Sequence, residues 1–248
     1  MNRLETLQRR SLPLLTCYLP AGDPLALSDQ AQIYADQGVD IYEIGVPYSD
    51  PFVDGELIAD SMKRTLTAGI TQTDIALQAE VMRKRFPDQA VVMMGYPNML
   101  PDCLCVKNNP VADGVLQVGG ISADLQNILT LKGVYRVEFI GWGMSEDSLA
   151  LACNADGYIM LQAAEGKTGL RDSFDMRNRQ RVQQLREQGI SVPVLLGIGI
   201  STATQVKEAM DCGADGVVIG SACMAKALEG AASLGNFLRE VRRALDEA

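Results

Sequence analysis

The 248-residue chain contains no histidine. That absence removes every His-containing triad, every imidazole base and every His-ligated metal site. Proton transfer near neutral pH is left to a carboxyl group with a raised pKa, or to Tyr, Cys or Lys. Positive charge is also scarce: 22 Lys+Arg face 31 Asp+Glu, a formal net charge of −9. No basic stripe is available to neutralise a phosphate backbone, so nucleic acid is not expected as a partner. No apolar run approaches the roughly 20 residues of a membrane span. The first residues, MNRLETLQRRSLP, carry charges with no apolar core behind them, unlike a secretory signal. No G-x-G-x-x-G follows the first apolar run, which speaks against a dinucleotide fold. The cysteines are few and scattered, at 17, 103, 105, 153, 212 and 223. Only Cys103 and Cys105 are close, and C-x-C is too short for a zinc knuckle. They read as small buried hydrophobes in a reducing cytoplasm, and no metal is expected.

What the chain does have is alternation. Short apolar, β-branched runs occur at 14–18, 40–44, 90–94, 114–118, 135–140, 157–161, 192–196 and 216–219. Amphipathic stretches of period near 3.6 lie between most of them, at 25–36, 74–85, 175–187 and 204–210. Near-continuous apolar strands joined by helices indicate a parallel sheet buried on both faces. Eight such units in this length predict an α/β fold, a single-domain (β/α)8 barrel over residues 1–248, with an open doubly wound sheet as the alternative. The stretch 98–110 sits where the third barrel helix belongs. It carries Pro101, Pro110 and Asn108-Asn109, so a short or irregular connection is expected.

A weak repeat supports the barrel. An Asp opens the second, fourth, sixth and eighth strands, at Asp40, Asp113, Asp156 and Asp215. Each is expected to close a helix–strand turn by bonding local backbone N–H groups. All four fall on the N-terminal face, opposite the face where barrel chemistry sits.

Chemistry is therefore sought at the C-terminal strand ends. Glu43 lies inside the apolar second strand, flanked by Tyr42 and Ile44. A charge there is costly unless paired. Glu43 thus either has a pKa raised toward neutrality, which suits a general acid/base, or is salt-bridged by a distant Lys or Arg. Asp54, in a Pro- and Gly-rich loop, is either a second carboxylate over the barrel mouth or a turn residue before Gly55; Asp50 reads as a turn residue. The turns GIGIS at 197–201 and GS at 220–221 each lead into a helix. Exposed N–H groups at such turns bind dianions, and the last two strands are the recurring phosphate site of this fold. The segment 162–171 is small, polar and Gly-flanked, and reads as a lid. Lys167 within it lacks the apolar burial a Schiff-base lysine needs.

At this point the residues resemble a known family, the tryptophan synthase alpha chain, over roughly residues 14–228. The segment EIGVPYSDPFVDG at 43–55 is similar to the family's active-site signature. AGDP at 21–24 precedes it, and GKTG at 166–169, GIGIS and GS follow in order. The resemblance implies retro-aldol cleavage of indole-3-glycerol phosphate to indole and glyceraldehyde 3-phosphate, without a cofactor. Glu43 would be the proton shuttle, and Asp54 would accept from the indole N–H. Gly169, Gly199, Gly220 and Ser221 would hold the phosphate. Thr168 would sit on the lid, with Tyr18, Met160 and Ile198 lining the pocket. The sequence departs from the family at the indole end. Met160 stands where a Tyr is usual, Ala164 for an Arg, Glu56 for a Pro and Ala59 for a Gln. Val118-Gly119 replace Ala-Asp, Met94 and Tyr96 a Tyr and an Asn, and Ile198 an aromatic. These departures keep open a paralogous lyase or isomerase on another phosphorylated substrate, or a non-catalytic ligand-binding barrel. A beta chain is the partner the family implies. The irregular third connection and the Gly141-Trp142-Gly143-Met144 segment depart from its usual contact surface.

Overall fold

A computed structural model describes residues 2–10, 13–97, 104–106 and 109–248. In chain order the strands are β1 (Leu14–Pro20), β2 (Ile41–Gly45), β3 (Ala90–Gly95), the two-residue β4 (Cys105–Val106) and β5 (Asn109–Pro110), β6 (Gly114–Gln117), β7 (Tyr135–Ile140), β8 (Ile159–Gln162), β9 (Val194–Gly197) and β10 (Gly216–Ile219). All but β4 and β5 close into one parallel barrel in the order β1-β10-β9-β8-β7-β6-β3-β2. The helices are α1 (Arg3–Gln8), α2 (Gln30–Asp36), α3 (Glu56–Thr67), α4 (Gln72–Arg85), α5 (Ala123–Lys132), α6 (Glu146–Ala152), α7 (Asn178–Glu187), α8 (Ala203–Asp211), α9 (Ser221–Glu229) and α10 (Ala231–Asp246). Among the described residues no helix is long and apolar enough to cross a membrane.

The eight expected runs are the eight barrel strands, with ends moved by at most two residues. They are legible because both faces are buried. Alternate side chains point to opposite sides of a strand. One set, including Ile41, Val92, Leu116, Val137, Leu195 and Val218, packs inside the barrel. The other, including Leu15, Ile44, Val91, Ile159, Leu196 and Val217, packs against the helices. Leu4 and Leu7 of α1 join the interior cluster with Leu14, so the N-terminal helix plugs the lower end of the barrel.

Two expected helices begin later than their periodicity suggests. The first runs Gln30–Asp36 rather than from residue 25. Asp23 accepts the Leu25 N–H in a tight turn and pairs with Arg64 at 2.6 Å, which holds the following residues out of the helix. The third begins at Asn178, because the Asn178 N–H closes a turn onto the Asp175 carbonyl instead of entering a helix there. The stretch 98–110 lies largely outside the described residues; its described part includes the antiparallel pair β4 and β5. Of the cysteines described, 17, 212 and 223 are buried as expected, but Cys153 is exposed.

The four repeated aspartates lie on the lower face, but their bonds are not local. Asp40 accepts from Leu15 N at 2.9 Å, Asp113 from Val91 N at 2.9 Å and Asp215 from Val194 N at 2.7 Å. Asp156 accepts likewise from Arg136 N. Each carboxylate thus receives an N–H at the start of the neighbouring strand, stitching β1 to β2, β3 to β6, β7 to β8 and β9 to β10. Each also faces a guanidinium: Arg242, Arg83, Arg136 and Arg186 respectively. Asp113 is the most enclosed, with its side chain 0% exposed and Arg83 at 2.8 Å. Asp113→Ala takes the side-chain acceptor from Val91 N and leaves the Arg83 guanidinium only the Pro110 carbonyl. It should cost about 3 kcal/mol, or a fall in melting temperature of about 6–12 °C. A thermal melt shifted by less than about 2 °C would show that the stitch is dispensable.

Candidate active site

The strand that carries Glu43 is buried along its whole length. Ile41, Glu43 and Gly45 share the inner face, so the carboxyl points into the barrel. It sits among apolar side chains, and the Tyr158 hydroxyl donates to its Oε1 at 3.4 Å. Among the described residues no Lys or Arg lies within salt-bridge distance of it. Loss of hydration disfavours the charged form, and the nearby Asp54 adds like-charge repulsion. Together they push the Glu43 pKa up to about 7, the Tyr158 hydrogen bond opposing them weakly. Of the two readings open at this residue, the unpaired acid holds and the buried salt bridge does not.

Asp54 is equally enclosed, at 2% exposure. The Tyr96 hydroxyl donates to Oδ2 at 2.7 Å, and the Thr168 hydroxyl donates to Oδ1 at 3.2 Å. Burial raises its pKa above the usual carboxylate value; the two hydroxyls and the cation of Lys167 oppose that rise. Asp54 therefore keeps three groups that favour its charge, where Glu43 has one. Two carboxyls whose surroundings push them apart in this way can divide the acid and anion roles. The reading of Asp54 as a mere turn residue fails, because its side chain faces the cavity.

The lid is docked on this loop. Thr168 N donates to the Val53 carbonyl at 2.9 Å, and Gly55 N donates to the Thr168 hydroxyl at 2.8 Å. A Cβ on Gly55 would stand 2.1 Å from the Thr168 carbonyl oxygen, so only glycine lets the two segments meet. Gln162 braces the lid from below, donating to the carbonyls of Ala164 and Gly166. Lys167 is exposed, as expected of a lysine with no covalent role.

Across the mouth lie the glycine turns. Ile198 and Gly199 both have positive φ, 62° and 104°. Such a value strains a β-branched residue by about 1–3 kcal/mol. A Cβ on Gly199 would meet the Ala164 Cβ at 2.8 Å and the Arg171 Cγ at 3.2 Å. The turn thus presents bare backbone to the cavity. α9 begins at Ser221 with Gly220 as its cap and no side chain capping it. Its first N–H groups have no partner within the helix and carry the positive end of its dipole.

One cavity joins these parts. Tyr18, Glu43, Asp54, Met160, Thr168, Gly169, Ile198, Gly199, Gly220 and Ser221 all line it, so these ten residues named from the sequence share one cavity. Met94, Leu116, Val118 and Phe139 complete an apolar wall. The cavity volume is about 40 Å³. The cleft is narrow with the lid down. Two residues that complete the site escape a sequence reading. Tyr158 lies on the inner face two positions before Met160, and Tyr96 reads there only as a substitution. Glu138 is a further buried acid with a pKa raised to about 7 by loss of hydration. It shares the outer face of β7 with Ile140 and lies outside this cavity.

A closed (β/α)8 barrel with a buried acid, a second carboxylate and two glycine turns around one cavity at its mouth has the parts of an acid–base enzyme. The chain matches the model of the tryptophan synthase alpha chain over residues 4–246. It is 32% identical over 241 residues to the tryptophan synthase alpha chain of Synechococcus elongatus, covering 92% of this chain and 90% of that one. It is 33% identical over 255 residues to that of Geobacter sulfurreducens, covering 98% and 95%. In fold it matches tryptophan synthase subunit alpha from Legionella pneumophila with a TM-score of 0.81, at 23% identity and with 100% of both chains covered. The chain belongs to the tryptophan synthase alpha chain family, and is a carbon–carbon lyase of that type.

Proposed function

We propose that the protein cleaves indole-3-glycerol phosphate into indole and glyceraldehyde 3-phosphate, using its own side chains and no cofactor. Protonated Glu43 gives its proton to indole C3. Positive charge then develops on the ring nitrogen, whose N–H donates to ionised Asp54. The bond from C3 to the first glycerol carbon breaks, and its electrons neutralise the ring. The hydroxyl on that carbon becomes the aldehyde and returns its proton to Glu43, which is regenerated. Gly169, Gly199, Gly220 and Ser221 hold the phosphate by backbone N–H groups, Thr168 on the lid fixes Asp54, and the apolar wall takes the ring. Binding energy at the remote phosphate positions the bond to be broken. The observation that carries this reading is Glu43 buried in the cavity without a cation.

A narrow cleft requires the lid to lift before substrate enters. We set the reaction in the cytoplasm, with a tryptophan synthase beta chain as partner to receive the indole. The deciding experiment is an indole-release assay with and without a beta chain. Release in either condition supports the proposal, and release raised by the beta chain supports the partner. No indole in both conditions would remove the lyase reading and leave another phosphorylated substrate.

Because Glu43 must start protonated, activity should depend on pH with a definite sign. kcat/KM should fall about tenfold per pH unit above about pH 7, as the acid form is lost. It should also fall at low pH as Asp54 takes up a proton, at a pH above the usual carboxylate range. The two carboxyls repel, so the limbs belong to the pair. A profile flat from pH 6.5 to 9 would exclude Glu43 as the titrating acid.

A further inference from the structure

Five tyrosines are buried, and four of them donate their hydroxyl to the protein. Tyr34 donates to the Tyr18 carbonyl, Tyr42 to the Ala31 carbonyl, Tyr96 to Asp54 and Tyr158 to Glu43. Tyr18 is the exception. It is 3% exposed, yet its hydroxyl bonds to no described residue. The ring is enclosed, while the hydroxyl oxygen keeps an open side and is not one of the enclosed polar atoms left without a partner. Tyr18 lines the cavity, so the open side of its hydroxyl is the place a ligand would occupy.

Its position is well defined. Tyr18 is the direct register partner of Glu43 on the adjacent strand. A Cβ on Gly220 would lie 3.6 Å from the Tyr18 Cβ. A Cβ on Gly45 would lie 2.0 Å from the Tyr18 hydroxyl. The ring therefore runs from the phosphate turn at Gly220 to the end of β2 beside Glu43, across ground that Gly45 leaves clear. Ile58, Met160 and Val218 add apolar lining to the same cavity. Burial and the charges of Asp54 and Glu43 hold the phenol well above its ordinary pKa, so it stays a donor.

We propose that the Tyr18 hydroxyl is a specificity-determining hydrogen-bond partner for the hydroxylated three-carbon tether of the substrate. This rests on the lyase reading above. Glu43 takes the hydroxyl on the reacting carbon. Tyr18 takes the hydroxyl on the middle carbon, between the reacting bond and the phosphate. A polar pocket group that is paired only when that hydroxyl is present rejects a tether lacking it.

The test uses the whole chain, Tyr18→Phe, and two small probes titrated by calorimetry, glycerol 3-phosphate and 3-hydroxypropyl phosphate, which lacks only the middle hydroxyl. Wild type should bind glycerol phosphate about tenfold more tightly. The Phe variant should bind the two within a factor of about two to three. Its melting temperature should be unchanged or higher, since it loses a hydroxyl that the protein leaves unpaired, whereas a purely structural role would lower it. An undiminished preference in Tyr18→Phe would overturn this assignment while leaving the phosphate seat intact. Failure of wild type to bind either probe would overturn the seat, and the lyase reading with it.

Discussion

Glu43→Gln should lower the rate of indole formation by about 10²–10⁴-fold. The amide is nearly isosteric and keeps the Tyr158 contact, but it has no proton to give to C3 and no base to take one from the glycerol hydroxyl. Both halves of the reaction lose the same group, so the fall should appear in kcat rather than KM. The same substitution should stabilise the protein. The folded pKa of about 7 lies above the ordinary value of 4.5. Between those values the folded state binds more protons than the unfolded one, so stability is lost as pH rises from about 4.5 to 7 and the loss is complete above that. A shift of that size corresponds to at most about 3 kcal/mol. Gln carries no ionisation cost, and its melting temperature at pH 8 should exceed that of wild type by up to about 5–10 °C. At pH 4.5 the two should melt together. An active Gln variant, retaining more than about a tenth of the wild-type rate, would take Glu43 out of the chemistry.

Asp54→Asn should lower kcat by about 10²–10³-fold, the scale of losing one preorganised electrostatic contact in a site shielded from water. Asn can still accept a hydrogen bond from the ring N–H of the neutral substrate, so KM should change by no more than about threefold. What it cannot do is oppose the positive charge that appears on the ring once C3 is protonated. The low-pH limb of the rate profile should also disappear, because the group that titrates there is gone. Removing Asp54 also relieves like-charge repulsion on Glu43, so the high-pH limb should move to lower pH. A variant whose loss lies wholly in KM would make Asp54 a binding group and no more.

These two carboxyls show how unevenly the chain can be read. Glu43 stands out in the sequence because a charge inside a fully apolar strand is anomalous by itself. Asp54 is followed by glycine, and that pattern is shared by any turn. Only Tyr96 and Thr168, 42 and 114 residues away, show that its side chain is gripped inside the cavity. The repeated aspartates were legible as structural and were placed on the correct face. Their partners were not, since Asp40 and Leu15 are 25 residues apart and meet across two strands. The start of α2 was hidden for a similar reason: the Arg64 that pairs with Asp23 ahead of the helix comes from α3.

The chain alone determined the eight strands, the glycine turns that bare the backbone, and the acid at 43 set among apolar neighbours. Those are properties of burial pattern and local backbone freedom, each written in a few consecutive residues; Glu138, between Val137 and Phe139, shares the same local pattern as Glu43, and only the face it lies on separates the two. The closed barrel decided which groups face one another: that no described cation reaches Glu43, and that Tyr158 does. It also decided that Thr168 donates to Asp54 and that the Tyr18 hydroxyl meets no described partner. Charge state and hydrogen bonding depend on what lies across a cavity, and that is settled only when distant strands are brought side by side.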